Sequence, residues 1–342
     1  MLATIENVMP DFPEILMRRF RILKGINETS PIGRRALSEQ LNLTERILRN
    51  EVEILKNQSL ISTSKRGMSL TQLGKETLHN LTEWVEDQTK IQTKEKQLAQ
   101  YLGIDHCLIV SGDSEKDAEC FENMSRSAVE LMDSVLPTGK QTIAVMGGTT
   151  IKEVARQMTS KLGQRRELMF VPARGGLGEE ISLEANVIAA RMAEKSGGKS
   201  RSLYAPDHVN EGIYRYLLEE PDIKKTMQLI ENASLLLYSI GEAEEMARRR
   251  GLDAQTIQKI NSYQAVAEAF GEFIDENGQV VYKLLSVGLQ SDRLKKIPHI
   301  IVVAGGVSKA KAIVAHLKVV PSHTWLVTDE AAANEILNGV AH

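Results

Sequence analysis

Residues 142–150 read TIAVMGGTT, an unbroken apolar run from Ile143 to Met146 that ends in a glycine pair and two threonines. No polar residue alternates within the run, so a strand here needs cover on both faces. A parallel sheet flanked by helices supplies that cover, and a half-exposed antiparallel sheet does not. From Gln141 onward the pattern repeats as ELMFVPARGG (167–176), SLYAPD (202–207), SLLLYSIG (234–241), HIIVVAGG (299–306) and TWLVTDE (324–330), with helical stretches between. The pattern predicts an α/β domain with a mostly parallel, Rossmann-like doubly wound sheet. Ligands of such sheets lie beyond the carboxyl ends of the strands, so the glycine loops should line one crevice.

Three of those loops carry chemistry. Gly147, Gly148, Thr149 and Thr150 precede a helix predicted over 151–162, so amides, hydroxyls and a helix dipole converge where an anion can sit. The loop lacks a Gly-Lys-Ser/Thr ending and is not GxGxxG, so it does not point to a nucleotide. A plain strand-to-helix turn would use the same glycines. The next loop, ARGGLG at 173–178, adds Arg174, whose guanidinium can grip phosphate bidentately. Glu184 follows, in the first turn of a helix predicted from Ser182, where an acid can accept from sugar hydroxyls or simply complement the helix terminus. The third loop, AGGVSK at 304–309, puts Lys309 at a helix start, which is unfavourable unless an anion arrives. Arg248, Arg249 and Arg250 end the helix after SLLLYSIG; three cations there are ordinary capping and could also hold a second phosphate.

Upstream, residues 34–57 read RRALSEQLNLTERILRNEVEILKN. Leu37, Leu41, Leu48, Val52 and Leu55 recur at helical spacing, leaving Arg46, Arg49, Asn50 and Glu53 together on an outer face. That is the layout of a helix-turn-helix whose second helix, N-capped by Thr44 with Glu45 in its first turn, meets base edges in a groove. A helix predicted over 13–28 turns Ile15, Leu16, Phe20, Leu23 and Ile26 inward and Arg18, Arg19, Arg21 and Lys24 outward. Residues 60–63 and 68–71 read as two short strands around Lys65, Arg66 and Gly67, a wing. Arg34, Arg35, Lys65 and Arg66 are placed for phosphates. A merely solvated basic helix is the plain alternative, against which cap, turn and wing stand in one order.

A linker helix is predicted to about Leu102. Its Leu78, Leu81, Val85, Ile91, Leu98 and Leu102 fall near heptad spacing, broken at Gln88 and Glu95. A dimer seam and packing on its own domain both stay open. The expected division is a winged helix-turn-helix over 1–76, the linker helix over 77–102, and an effector-binding and oligomerisation domain over 103–342.

Composition agrees with this division. A 342-residue chain with 42% hydrophobic residues can fill a second, larger core. Between Arg18 and Lys75 there are twelve Lys/Arg against five acids, so the net −3 of the whole leaves −10 on the remainder. A basic segment joined to an acidic one suits a partner that is a polyanion, double-stranded DNA. Cys107 and Cys120 make no disulfide framework and fall in no metal-ligand spacing; no metal and no cofactor are expected, and the cytoplasm is the expected compartment. No apolar run nears the roughly 20 residues that cross a bilayer, no export signal is read at the N-terminus, and no membrane partner is expected. A single winged module rarely makes enough base contacts for a unique site, so a dimer or tetramer is expected.

VAGGVSKAKAI (303–313) and LVTDEAAANEIL (326–337), with the GGTT loop and the helix-turn-helix, resemble the SorC family of bacterial sugar-responsive transcription regulators. The similarity covers essentially the whole chain, and 298–337 is its most specific part. The resemblance implies a sugar-phosphate isomerase-like fold used as a sensor, in a repressor of glycolytic genes released from its operator by the effector fructose-1,6-bisphosphate. It further implies effector contacts at Gly148, Thr149, Thr150, Arg174, Glu184, Arg249, Arg250, Glu268 and Lys309. For Glu268 the plain reading is a surface acid in a helix predicted over 262–270. Another sugar or polyol phosphate as effector, or an isomerase-like enzyme carrying a winged module, are the alternatives. The acids and bases Asp207, His208, Glu268 and Asp292 are tied together by no motif, so catalytic residues are not expected.

Overall fold

Helices α1 (Phe12–Thr29), α2 (Arg34–Leu41) and α3 (Glu45–Asn57) are followed by a hairpin of β1 (Ile61–Ser64) and β2 (Gly67–Leu70). These belong to the first of two units, which ends at Gln92. The computed structural model describes residues 8–178 and 180–339. Ile22, Leu23 and Ile26 of α1, Leu37 of α2, and Leu48, Val52 and Leu55 of α3 form one core. Helix α2 stops because Asn42 takes the left-handed conformation at φ 51, and α3 starts on Thr44, whose hydroxyl accepts from Ile47 N at 3.3 Å. In the hairpin, Gly67 has φ +134, and a Cβ there would stand 2.7 Å from Ile32 O. Ile32 and Met68 exchange backbone hydrogen bonds of 3.1 and 2.8 Å, so the wing is stitched to the start of α2.

Arg18 and Arg19 do not face outward as the sequence pattern predicts. Arg19 Nε lies 2.8 Å and Arg18 Nε 3.6 Å from the carboxylate of Glu51. Glu51 projects from the inner side of α3 and is 8% exposed. An acid at that depth needs cations, and α1 supplies two.

Helix α4 (Gln72–Leu102) crosses the division at Gln92/Thr93. Its Leu78, Leu81 and Val85 pack into the core of the first unit. Leu98 and Leu102 are buried in the second. Of the two breaks in the apolar stripe, the side chain of Gln88 lies outside the described residues. The other, Glu95, accepts from Ile109 N at 2.9 Å, and burial pushes its carboxyl up.

The second unit is built on seven parallel strands: β3 (His106–Val110), β4 (Gly139–Val145), β5 (Arg166–Pro172), β6 (Lys199–Ser200), β7 (Leu235–Tyr238), β12 (His299–Val303) and β13 (Thr324–Asp329), in the spatial order β3-β13-β12-β7-β4-β5-β6. Helices α5 (Ala118–Val135), α6 (Thr149–Gln157) and α7 (Ala185–Ser196) contribute Met124, Met132, Ile151, Val154, Ile188 and Met192 to a core with Ile143, Val145, Leu235 and Leu237. The intervening Ala144 and Leu236 are also fully buried, which is why the strands read as continuous apolar runs. Two further helices, α8 (Glu211–Glu219) and α9 (Pro221–Glu231), precede β7.

Between β7 and β12 the chain makes an excursion: β8 (Gly241–Glu242), α10 (Ala243–Arg249), α11 (Ala254–Ser262), β9 (Ala265–Ala269), β10 (Glu272–Asp275) and β11 (Val280–Lys283), a four-stranded antiparallel sheet ordered β11-β10-β9-β8. The chain then finishes the main sheet with α12 (Ala310–Leu317) between β12 and β13, and α13 (Glu330–Leu337).

Three predicted elements are corrected. The helix expected over 262–270 ends at Ser262, and 265–269 is β9, because Glu268 pairs with Phe273 across a turn at Gly271, φ +77. The strand expected at 202–207 is not formed; β6 stops at Ser200, and Ala205 and Asp207 instead bond through their backbones to Gly176. The helix expected over 151–162 starts earlier and ends at Gln157, with a separate 3-10 turn over Ser160–Gly163.

Candidate functional site

β4 and β7 lie side by side in register, Ile143 opposite Leu235 and Val145 opposite Leu237. From β4 the chain works outward through β5 to β6, and from β7 it works the other way through β12 and β13. The strand order therefore reverses between these two parallel strands. Beyond their carboxyl ends the connecting loops part and leave a crevice.

A pocket fills it, about 590 Å3 of space between the atoms, open solvent included. Gly147, Gly148, Thr149 and Thr150 line it from the end of β4, Arg174 from the end of β5, Ser239 and Gly241 from the end of β7, and Lys309 from the end of β12. The antiparallel excursion adds Glu245, Arg249 and Arg250 from α10 and its C-cap, and Glu268 and Phe270 from β9 and its turn.

Glycine is required in the first loop. Gly148 has φ +109, and a Cβ on Gly147 would come within 2.4 Å of Leu183 O and 2.7 Å of the Arg174 guanidinium. The Arg174 side chain is thus pressed against the loop, and the residue is 6% exposed. The first i to i−4 bond of α6 runs from Lys152 N to Gly148 O at 2.9 Å, so the amides of Thr149, Thr150 and Ile151 precede the ladder and leave the helix at its positive end.

Lys309 is the N-cap of α12. Burial pulls its ammonium below the ordinary lysine range; Glu245, Glu242 and Glu115 oppose that and Arg249 adds to it. Arg250 and Glu268 form a buried ion pair, Nη2 to Oε1 at 2.7 Å, and the second terminal nitrogen of Arg250 donates to Asp207. Burial works against the charge on Arg250, but Glu268 and Asp207 outweigh it and raise its pKa. Burial likewise pushes Asp207 up, against the pull of Arg250 and Arg174.

Eight of the nine residues expected at the effector site therefore line one pocket: Gly148, Thr149, Thr150, Arg174, Arg249, Arg250, Glu268 and Lys309. Glu184 does not. It is the N-cap of α7 and its carboxylate accepts from Leu177 N at 3.2 Å and Gly178 N at 2.8 Å, so it shapes the loop that carries Arg174. Glu268 is 3% exposed on a strand, not a surface acid on a helix. Ser239, Glu245 and Phe270 were missed, although YSIG at 238–241 follows a buried strand and carries a glycine as the other loops do. The Ser239 hydroxyl is buried with no hydrogen-bond partner among the described residues. His208 and Asp292 are exposed and outside the lining, so the four acid-base candidates are not gathered.

In the first unit Arg46, Arg49, Asn50 and Glu53 are all exposed on α3, opposite its buried Leu48, Val52 and Leu55. Arg34 is exposed at the start of α2, Arg35 pairs with Glu39 at 3.2 Å, and Lys65 and Arg66 sit exposed at the hairpin turn. Thr44 is exposed at the start of α3, which its side chain caps.

The family model of a sugar-binding domain matches residues 86–338, and that of the CggR N-terminal DNA binding domain matches residues 15–85. The chain is 45% identical to the central glycolytic genes regulator of Bacillus subtilis (strain 168), over 97% of each chain. It is 40% identical to that of Priestia megaterium (strain DSM 319 / IMG 1521), over 96% of each. A solved structure of a SorC family transcriptional regulator from Enterococcus faecalis matches with a TM-score of 0.68 at 46% identity, covering 72% of this chain and 99% of that one.

Proposed function

The chain belongs to the central glycolytic genes regulator family, SorC-type transcriptional regulators that join a DNA-binding domain to a sugar-binding one, and from that premise we propose that it represses glycolytic genes and is released from its operator by fructose-1,6-bisphosphate. Its relatives are regulators and not enzymes. The observation that carries the reading of the ligand is the convergence of the GGTT loop, Arg174, Arg249 and Lys309 in one pocket around a buried carboxylate, Glu268. Amides at a helix start and nearby cations suit phosphate, and a carboxylate among them suits hydroxyls.

In this reading Arg46, Arg49 and Asn50 meet base edges, Arg34, Arg35, Lys65 and Arg66 meet phosphates, and Thr44 fixes the start of the helix that carries the first three. Residues 1–76 bind DNA, 77–102 link, and 103–342 sense the effector and assemble a dimer or tetramer in the cytoplasm. Calorimetry with fructose-1,6-bisphosphate against fructose-6-phosphate, paired with retardation of operator DNA, tests it. Tight binding of the bisphosphate together with loss of the DNA complex is the expected result; an unchanged DNA complex at saturating bisphosphate would sink it. A monophosphate or polyol phosphate is the second reading, favoured by one feature: the two terminal nitrogens of Arg250 are already taken by carboxylates.

A further inference from the structure

Arg250 stands between two anions. Its side chain and that of Asp207 are each 2% exposed, and that of Glu268 is 3% exposed. One terminal nitrogen donates to Asp207 Oδ2 and the other to Glu268 Oε1, so the three side chains together carry a formal charge of −1. A guanidinium with both terminal nitrogens engaged, inside a cluster of net negative charge, is a poor ligand for phosphate. Glu268 is held from a second side as well, because the same oxygen accepts from Gly271 N at 2.8 Å.

Asp207 is not part of the pocket lining. Its backbone is nevertheless tied to the machinery: its N–H donates to Gly176 O at 2.8 Å, in the loop that carries Arg174, and its carbonyl accepts from Val287 N at 2.8 Å. The carboxylate is therefore delivered to Arg250 by a fixed piece of backbone. It acts on a ligand through the cations it faces, chiefly Arg250, with which it is ion-paired.

We propose that Asp207 is a specificity-determining positioning residue, which masks the charge of Arg250 so that the β9 wall of the pocket reads uncharged hydroxyls through Glu268 while phosphate is held by the GGTT loop, Arg174, Arg249 and Lys309. The inference rests on the sugar-phosphate reading of the pocket and names which wall reads which part of the ligand. Removing the negative charge of Asp207 unmasks a cation beside the ligand and favours the compound with more phosphates. Removing the positive charge of Arg250 does the reverse.

The test is calorimetry on the full chain at pH 8 with fructose-1,6-bisphosphate and fructose-6-phosphate, for the wild type, Asp207→Asn, Asp207→Glu and Arg250→Gln. The ratio of bisphosphate to monophosphate affinity should rise about tenfold in Asp207→Asn, fall about tenfold in Arg250→Gln, and stay within about twofold of wild type in Asp207→Glu. A purely structural role would weaken both ligands in parallel and leave the ratio where it was; that result, or an unchanged ratio with unchanged affinities, overturns the inference. If Asp207→Asn does not melt as a folded protein, Arg250→Gln decides through its opposite sign. Wild-type protein that binds neither compound overturns the sugar-phosphate reading itself, and the inference with it.

Discussion

Lys309 is a cation placed where water is scarce and where a helix begins, both of which work against it. With its folded pKa below the unfolded one, the ligand-free fold gains stability as pH rises through that interval. Replacing the ammonium by an apolar side chain removes the cost at all pH values: Lys309→Met should raise the unfolding free energy of the ligand-free protein by about 1 kcal/mol in denaturant titration while abolishing sugar-phosphate binding. A destabilised Lys309→Met protein would contradict this account. A bound anion favours the ammonium and so raises the lowered pKa; between the ligand-free and ligand-bound pKa values binding takes up a proton, and affinity falls as pH climbs through that interval. Calorimetry in buffers of differing ionisation enthalpy reads that proton directly. Thr149 and Arg174 act at the same pocket from other strands. Thr149→Ala and Arg174→Ala should each weaken the sugar phosphate by about 1–3 kcal/mol while leaving operator binding at wild-type strength in gel retardation. Loss of DNA binding with intact effector affinity would invert the assignment.

Elements formed by local chemistry were the ones legible in the sequence. Helix α3 is fixed by Thr44, by a left-handed Asn42 before it, and by leucines and a valine at helical spacing, all within sixteen residues of chain. The strands ending in glycine announced themselves because burial on both faces leaves no polar alternation to confuse the period. β9 did not. AVAEA carries three alanines, the strongest helix formers, and only pairing with β10 across the Phe270-Gly271 turn overrides that preference. The ion-paired cluster was equally illegible, because Asp207, Arg250 and Glu268 lie far apart in sequence on elements that only the fold brings together. The same logic that made α3 readable gives its test. Arg46→Ala and Arg49→Ala should each cost about 1–3 kcal/mol of specific operator binding, whereas Lys65→Ala at the hairpin turn should mainly lower the slope of log affinity against log salt, by about 1. If all three left operator affinity and its salt dependence untouched, the exposed side of α3 would not be the DNA-reading one.

In the whole chain, a basic first segment and an acidic remainder place the two ligands, DNA and a sugar phosphate, on separate parts of the sequence. Any influence of one on the other is a coupling free energy, and it must be reciprocal. If the effector weakens operator binding by a factor within the usual 1–3 kcal/mol, operator DNA must weaken effector binding by the same factor. Titrating the effector with and without a duplex measures both sides of that cycle; unequal factors would mean a third state, and no change in either would remove the switch. The antiparallel excursion from β8 to β11 enters the parallel sheet between two adjacent strands and brings one wall of the pocket with it. Ligand choice can therefore drift by remodelling this insert while the seven-stranded platform and its glycine loops stay put. For the same reason, an engineer who wants a biosensor for a different metabolite should diversify residues 241–283 together with Asp207, which meets Arg250 from outside the insert.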